Sequence, residues 1–505
     1  MDSPADNLSA SEGDTDTEKN ERSSIPPLED NLIVISNRQP YQHCYTTDGS
    51  IEVNRPAGGL TAGLDPVMQR TNGTWVAWSD GEADAEVTDE DGTVQMPPEE
   101  EAYTLQRVWL SEEEVEGYYY GYSNRVLWPL CHGGGLKTEY VDRHWARYQQ
   151  INERFADVVT DHVNSGSIVW FQDYHFSLAP RYIRNASTDT FLLHFWHITW
   201  PGWDTFRTCP HRQKLLDGLL GNDLLGFHIE RYCKNFLDCV DECLDSAVVN
   251  HDDSQIHYNG QTTTVRAFPM GIDAETIQMA SERMDKAFWD KFRCRYDISG
   301  KTKVVIGVDR LDYTKGISER LDALERLWTT KPEWRGELTY VQKVEKSRSL
   351  IPAYQTLQQN VKEAVERINN RFGTDEWQPV IQIENWLTEE ELAGLYRHGD
   401  VLLVSAVRDG MNLVAKEYVA AQIDDPGVLV LSNQTGAHDE LGESAVTINP
   451  YDTDGFAAAI ESALLMDAAE RQERMTTLQQ RIVEQNLTTW MANILETTQR
   501  LQNGN

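Results

Sequence analysis

"VLLVSAVRDGMNLVAKEYVAAQ", residues 401–422, decides how the chain is read. Val401 to Val404 form an unbroken apolar run, Arg408-Asp409-Gly410-Met411-Asn412 interrupt it, and Leu413, Ala415, Tyr418 and Ala421 then recur at helical steps. A buried strand turns into a helix within a few residues. The start of a helix carries unpaired N–H groups and partial positive charge, so this junction suits an anion. Gly410, Met411, Asn412 and Leu413 are placed to turn amides toward a diphosphate. The Asp409 carboxylate would repel such a group and therefore faces a neutral hydroxyl, and Glu417 further along suits a ribose diol. Read singly, Asp409 is also compatible with a helix cap and Glu417 with a surface position.

The same strand-then-helix grammar runs outward in both directions. NLIVISNR, SIVWFQDYH, TFLLHFWHI and DLLGFH carry it through the first half; it pauses near VRAFPMGID (265–273) and restarts at TKVVIGVDRLDYTKG. GELTYVQKV, PVIQIENW and GVLVLSN continue it. The pattern predicts an α/β protein with two doubly wound, Rossmann-like domains of parallel strands facing across a cleft. The expected units are a disordered acidic tail over 1–29, a first domain over 30–272, a second over 273–470, and a helical segment over 471–505 crossing back to the first. Both first strands end in an arginine, Arg38 and Arg310, which places positive charge at the mouth of the cleft.

Composition narrows the classes. The chain has 505 residues and a formal net charge of −36, with acidic residues spread throughout, which argues against nucleic acid or an anionic membrane as partner and for a solvated, salt-adapted surface. No apolar run is long enough to span a bilayer, and the start does not look like a signal peptide. Seven scattered cysteines fit reduced thiols and a cytoplasmic setting; Cys239 and Cys243, one helical turn apart, read as buried thiols because no matching ligand pair follows.

Four further stretches carry candidate chemistry. RPAGGLTAGL (55–64) holds Gly58-Gly59, which fits a close phosphate approach or a structural turn; it is not a dinucleotide fingerprint. GVDRLDYTKG (307–316) sets Arg310 and Lys315 in one loop after a buried strand, a planar fork and a point charge suited to a diphosphate, without a Walker A ending. FQDYHF (171–176) and FWHITWPGW (195–203) end strands with Asp173 and His197. His194 and His197, read on one strand, point to opposite faces, which argues against a metal. GYYYGYSNRVLWPLCH (117–132) is either an aromatic sugar wall or a packed edge.

Taken together, SNR (36–38), AGGL (57–60), SNRVLWP (123–129), DYH (173–175), DLLGF (223–227), DRLDYTKG (309–316), SR (347–348) and RDGMNLVAKEYVAAQ (408–422) resemble the retaining glucosyltransferases that make trehalose 6-phosphate. The likeness runs in order from about residue 31 almost to the end, and it looks like a salt-adapted, haloarchaeal-type member. It implies a GT-B fold, UDP-glucose as the expected donor, glucose 6-phosphate as acceptor, and no cofactor or metal. Carried over by residue, the donor would meet Gly58, Gly59, His197, Arg310, Lys315, Leu387, Asp409 to Leu413 and Glu417. The acceptor would meet Arg38, Trp78, Tyr119, Trp128, Asp173 and Arg348, and the catalytic set would be Asp173, His197, Arg310, Lys315 and Asp409. The family's front-face mechanism, in which the leaving phosphate takes the acceptor's proton, fits the lack of an obvious carboxylate pair.

HITWP (197–201), LCHGGG (130–135) and QKVEK (342–346) depart from the family pattern on the acceptor side. Glycerol 3-phosphate therefore stays open as acceptor, and the other readings are a non-catalytic sugar-phosphate sensor and a pyridoxal-dependent phosphorylase. The reading allows a homo-oligomer and expects activity in concentrated KCl.

Overall fold

Apolar strand runs need both faces covered, and the computed structural model, which describes residues 32–55, 59–133, 138–187, 189–424 and 426–504, shows how this is done. Two large sheets form. In the first, Leu32–Arg38 lies between Thr74–Trp78 and Ile168–Gln172, all parallel, and the parallel run extends to Tyr103–Val108 on one side and through Phe191–Phe195 and Leu224–Phe227 to Gln261–Ala267 on the other. Antiparallel strands finish both edges of this ten-stranded sheet. Side chains alternate across it: Ile33 and Ile35 enter one apolar cluster with the helix Asp142–His162, whereas Leu32 and Val34 enter another on the opposite face.

The second sheet has six strands, all parallel, in the order Val380–Ile383, Leu338–Glu345, Lys303–Arg310, Val401–Val404, Val428–Ser432, Val446–Ile448. Counted along the chain this is 3-2-1-4-5-6, the doubly wound order. Its strands also feed two clusters, Val304 and Ile306 on one face and Val305 on the other. Each sheet reverses its winding beside its first strand, which leaves a crevice at the carboxyl ends. In the first sheet the crevice opens between Arg38 and Asp173, and in the second between Arg310 and Ser405.

The end of the chain straps the halves together. The expected helical segment from 471 is two helices. Ala468–Glu484 buries Met475, Leu478 and Ile482 against the second sheet's helices. Asn486, accepting from the Thr489 amide at 2.8 Å, then caps Leu487–Gln502, whose Trp490, Met491, Ile494 and Leu495 lie in the core beneath the first sheet. The Trp490 ring meets Phe195 edge-on at 5.1 Å. Among the described residues no helix is long and apolar enough to cross a membrane.

Trp490→Ala removes a side chain that is 1% exposed and is expected to lower stability by about 3–5 kcal/mol. Denaturant unfolding measures the loss. Limited proteolysis should also cut between the last two helices faster than in the parent; a parent-like pattern would mean that the strap is not held by this ring.

Candidate active site

The loop after Lys303–Arg310 must turn sharply to bring cations over the sheet, and a buried network makes it do so. Arg320, on the helix Ile317–Thr330, donates from Nη2 to Asp309 Oδ2 at 2.6 Å, from Nη1 to the Tyr340 hydroxyl at 2.9 Å and from Nε to Ser405 Oγ at 2.9 Å. Ser405 Oγ in turn donates toward the Lys315 and Gly316 carbonyls, at 3.0 and 2.9 Å. Gly316 sits at φ +62° with a Cβ position only 2.0 Å from the Ser405 carbonyl oxygen, so a larger residue would push the two loops apart.

Lys315 then reaches across the switch point. Its Nζ lies 2.6 Å from Asp409 Oδ2, which also accepts from Asn412 Nδ2 at 3.0 Å. Burial opposes both charges, yet each stabilises the other: the Asp409 carboxyl is held below its ordinary range and the Lys315 ammonium above its own. Asp409 is not the helix cap. The helix begins at Leu413, and Asn412, at φ +83°, caps it by accepting from the Ala415 amide at 3.1 Å. Among the described residues, the amides of Gly410, Met411, Asn412 and Leu413 donate to no protein acceptor. The Gly410 Cβ position is 2.3 Å from the His197 carbonyl oxygen, and the Tyr232 hydroxyl donates to the Asp409 carbonyl at 3.1 Å, so this loop is pressed against the first domain.

Beyond that loop, Glu417 lines a cleft of about 330 Å³ with Leu413, Tyr396 and Ile272, and its Oε2 accepts from the Tyr396 hydroxyl at 3.1 Å. Burial pushes the Glu417 carboxyl up. Glu417 is therefore a cleft residue, not a surface one. Leu387 packs on the same apolar cluster as Leu413 and lies outside the set lining that cleft.

A second cavity, about 170 Å³, opens on the facing side. Arg38, Tyr119, Trp128, Asp173, Arg310 and Arg348 line it together with Gln172, Tyr174 and His175. Arg348 is fixed from several directions: Nη1 donates to Asp312 Oδ2 at 3.0 Å and to the Tyr354 hydroxyl at 2.6 Å, Nη2 donates to the Tyr174 hydroxyl at 3.3 Å, and the guanidinium lies 3.9 Å above the Trp128 ring. Burial pushes the Tyr119 phenol up, but Arg348 and Arg38 outweigh it and leave the group below its ordinary value. Among the described residues, neither Arg38 nor Arg310 is in an ion pair. Two uncommitted cations facing a third make a seat for anions.

Asp173 occupies φ +68°, an uncommon conformation for a non-glycine residue. Its Oδ1 accepts from the His197 amide at 3.3 Å, and its carbonyl meets His194 Nε2 at 2.8 Å. Burial raises its carboxyl to about 7. The strand stops at Phe195, so His194 and His197 do not alternate on one strand as the sequence reading had it; both approach Asp173. His197 Nε2 pairs with Gln172 Oε1 at 2.9 Å, and burial holds the imidazole well below its ordinary value, hence neutral.

The aromatic stretch is a wall and a packed edge at once. Glu116–Leu127 winds as a π-helix, whose wider turn sends Tyr118 and Tyr122 into the core and Tyr119 to the cavity. Trp78 does not line the cavity; its ring lies 5.8 Å behind Tyr119. Gly58 lies outside the described residues, and Gly59 opens the helix Gly59–Thr71. Asp312, Tyr354, Tyr174 and Arg320 were not singled out from sequence; the DRLDY and DYH runs contain two of the four, Asp312 and Tyr174, but nothing local marks which side chain turns inward. Cys239 and Cys243 are buried free thiols.

The chain matches the family model for glycosyltransferase family 20 over residues 30–500. It is 36% identical over 470 residues to a bifunctional trehalose-6-phosphate synthase/phosphatase of Thermoproteus tenax, covering 91% of this chain and 62% of that one. It is 34% identical over 473 residues to a trehalose-6-phosphate synthase of Mycolicibacterium vanbaalenii, covering 92% and 95%. Among solved structures it superposes, with a TM-score of 0.83 and 30% identity over 93% of this chain and 98% of the other, on one described as trehalose-6-phosphate from E. coli bound with UDP-2-fluoro glucose. It also superposes on an alpha,alpha-trehalose-phosphate synthase (UDP-forming) from Burkholderia xenovorans in complex with glucose-6-phosphate, with a TM-score of 0.81 and 29% identity over 93% and 100%.

The raised Asp173 carboxyl has a consequence for stability. Between 3.8 and about 7 the folded protein keeps a proton that the unfolded chain has lost. Its contribution is full below the unfolded value and is lost as pH rises through the folded one. Asp173→Asn should therefore gain melting temperature relative to the parent on going from about pH 5 to about pH 8. A difference that stays constant across that range would show that the carboxyl titrates normally.

Proposed function

The chain belongs to glycosyltransferase family 20, and from that premise we propose that it is a retaining glucosyltransferase that moves glucose from UDP-glucose to glucose 6-phosphate, forming alpha,alpha-trehalose 6-phosphate. The observation that carries this reading is the convergence of Arg38, Arg310 and Arg348 with Tyr119 in one cavity, next to the Lys315–Asp409 junction at the switch point. One anion seat serves the acceptor's phosphate and an adjoining one serves the donor's diphosphate.

The chemistry follows from that layout. Arg348, rigid on Trp128 and Asp312, holds the acceptor phosphate with Arg38 and Tyr119. Arg310, Lys315 and the amides from Gly410 to Leu413 face the diphosphate, and negative charge that builds there as the glycosidic bond breaks meets donors already in place. Asp409, freed from Lys315 by the incoming diphosphate, grips the transferred sugar's hydroxyls with His197. Glu417 takes the ribose. Asp173, with its carboxyl near 7, orients the acceptor sugar by hydrogen bonds and is a poor nucleophile in its protonated state. The acceptor's proton passes to the departing phosphate on the same face, so the configuration is retained and the protein contributes chiefly orientation and charge.

No resident metal enters this scheme, since Arg310 and Lys315 supply the positive charge. The net charge of −36 supports a salt-rich cytoplasm and an osmoprotective product. At molar salt the Debye length is ~3 Å, so the acidic surface no longer repels the two anionic substrates while the cavity cations still act at contact.

Mass spectrometry of products, with UDP-, GDP- and ADP-glucose each offered to glucose 6-phosphate and to glycerol 3-phosphate, tests the proposal. The expected product is a hexosyl hexose phosphate, formed equally with excess EDTA present and faster in molar KCl than in dilute buffer. Transfer only to glycerol 3-phosphate would replace the acceptor assignment. Abolition by EDTA would replace the metal-free scheme.

A further inference from the structure

The phosphate end of the acceptor cavity is crowded with donors, but its opposite wall carries polar atoms that nothing among the described residues satisfies. Gln172 is 1% exposed and lines the cavity; its Oε1 is used by His197 Nε2 at 2.9 Å, and its Nε2 has no partner. His175, three residues on, is 8% exposed and lines the same cavity, with both Nδ1 and Nε2 unpaired. Buried polar groups left without hydrogen bonds cost about 1–3 kcal/mol each, so such a pair demands a reason.

Neither residue is loosely held. The His175 ring is stacked between Tyr174, at 4.1 Å, and Tyr119, at 5.9 Å with an interplanar angle of 15°. Gln172 is the last residue of its strand and is tied to His197. Burial, reinforced by Arg348 and Arg38, keeps His175 neutral, so its ring presents one N–H donor and one lone pair. A neutral imidazole, with one donor and one lone pair, suits a hydroxyl group, which can both give and take a hydrogen bond.

We propose that Gln172 and His175 read ring hydroxyls of the acceptor, and that Gln172 also positions His197, so that seating a hexose phosphate sets the histidine on the donor side. This rests on the glucosyl-transfer reading above and deepens it. An acceptor that brings several ring hydroxyls satisfies the orphaned atoms; glycerol 3-phosphate, with two hydroxyls on a short chain, leaves some of them unpaired. The Gln172 carbonyl accepts from His197 Nε2, which leaves Nδ1 as the imidazole's acceptor. Discrimination against a missing hydroxyl is strong at such a site, because the protein atoms are then stranded.

The test compares glucose 6-phosphate with its 2-, 3- and 4-deoxy analogues and with glycerol 3-phosphate, as kcat/KM ratios at saturating UDP-glucose, in the parent, His175→Phe and Gln172→Met. Phe keeps the ring stack and Met the chain length, and His175→Asn and Gln172→Glu serve if either fails to fold. In the parent, at least one deoxy analogue should be about 10–100-fold worse than glucose 6-phosphate. In His175→Phe and Gln172→Met that ratio should shrink to within about threefold for the hydroxyl each reads, with the acceptor KM raised and melting temperature near the parent's. In Gln172→Met, kcat should also fall, since His197 loses its partner. Folded variants that keep the parent's discrimination ratios overturn this proposal and leave the transfer reading intact. A parent that transfers no glucose to glucose 6-phosphate overturns both.

Discussion

The site depends on one buried interaction, the Arg320–Asp309 pair, with side chains 1% and 5% exposed. Taking two charges out of water is costly, and such a pair is retained only where good geometry and further hydrogen bonds compensate. Here they do: Tyr340 and Ser405 complete the guanidinium's set, and through Ser405 the pair dictates where the carbonyls of Lys315 and Gly316 lie. Four elements are thereby fixed against one another at the reversal of the second sheet. Gly307 shows how tightly: its Cβ position is 2.2 Å from Arg320 Nη1 and 2.3 Å from the Tyr340 hydroxyl. The loop that carries Lys315 is placed by a network whose side chains line neither cavity.

From this follows the charge pattern of the cleft. Lys315 and Arg348 are each committed to a carboxylate, Asp409 and Asp312, whereas Arg38 and Arg310 are in no ion pair among the described residues. The committed cations are rigid and the uncommitted ones are available, which lets a strongly acidic protein keep a positive interior without collapsing it on its own acids. The neutral readers at Gln172 and His175 complete the opposite wall.

The fold was legible because parallel strands buried on both faces write continuous apolar runs, and the arginines that end the two first strands, Arg38 and Arg310, marked the mouth of the cleft. The grouping of Arg38, Tyr119, Trp128, Asp173, Arg310 and Arg348 was legible through motif resemblance; their meeting across two domains has no local signature. Three features escaped for physical reasons. The Lys315–Asp409 pair joins residues 94 apart in sequence, so no spacing rule reveals it. The cap fell to Asn412 because a left-handed residue precedes the helix, a backbone fact invisible in the run of letters. Trp78 was placed one layer too far forward, since an aromatic at a strand end reads the same whether it faces ligand or backs another ring.

The most direct test of the account is calorimetric titration of UDP into the parent and into Arg310→Met, whose side chain can be removed without stranding an ion-pair partner. The account predicts that UDP binds the variant about 30-fold or more weakly, roughly 2 kcal/mol, with glucose 6-phosphate affinity less affected. Unchanged UDP affinity in a folded Arg310→Met protein would contradict it, because the diphosphate would then be held somewhere other than the reversal of the second sheet.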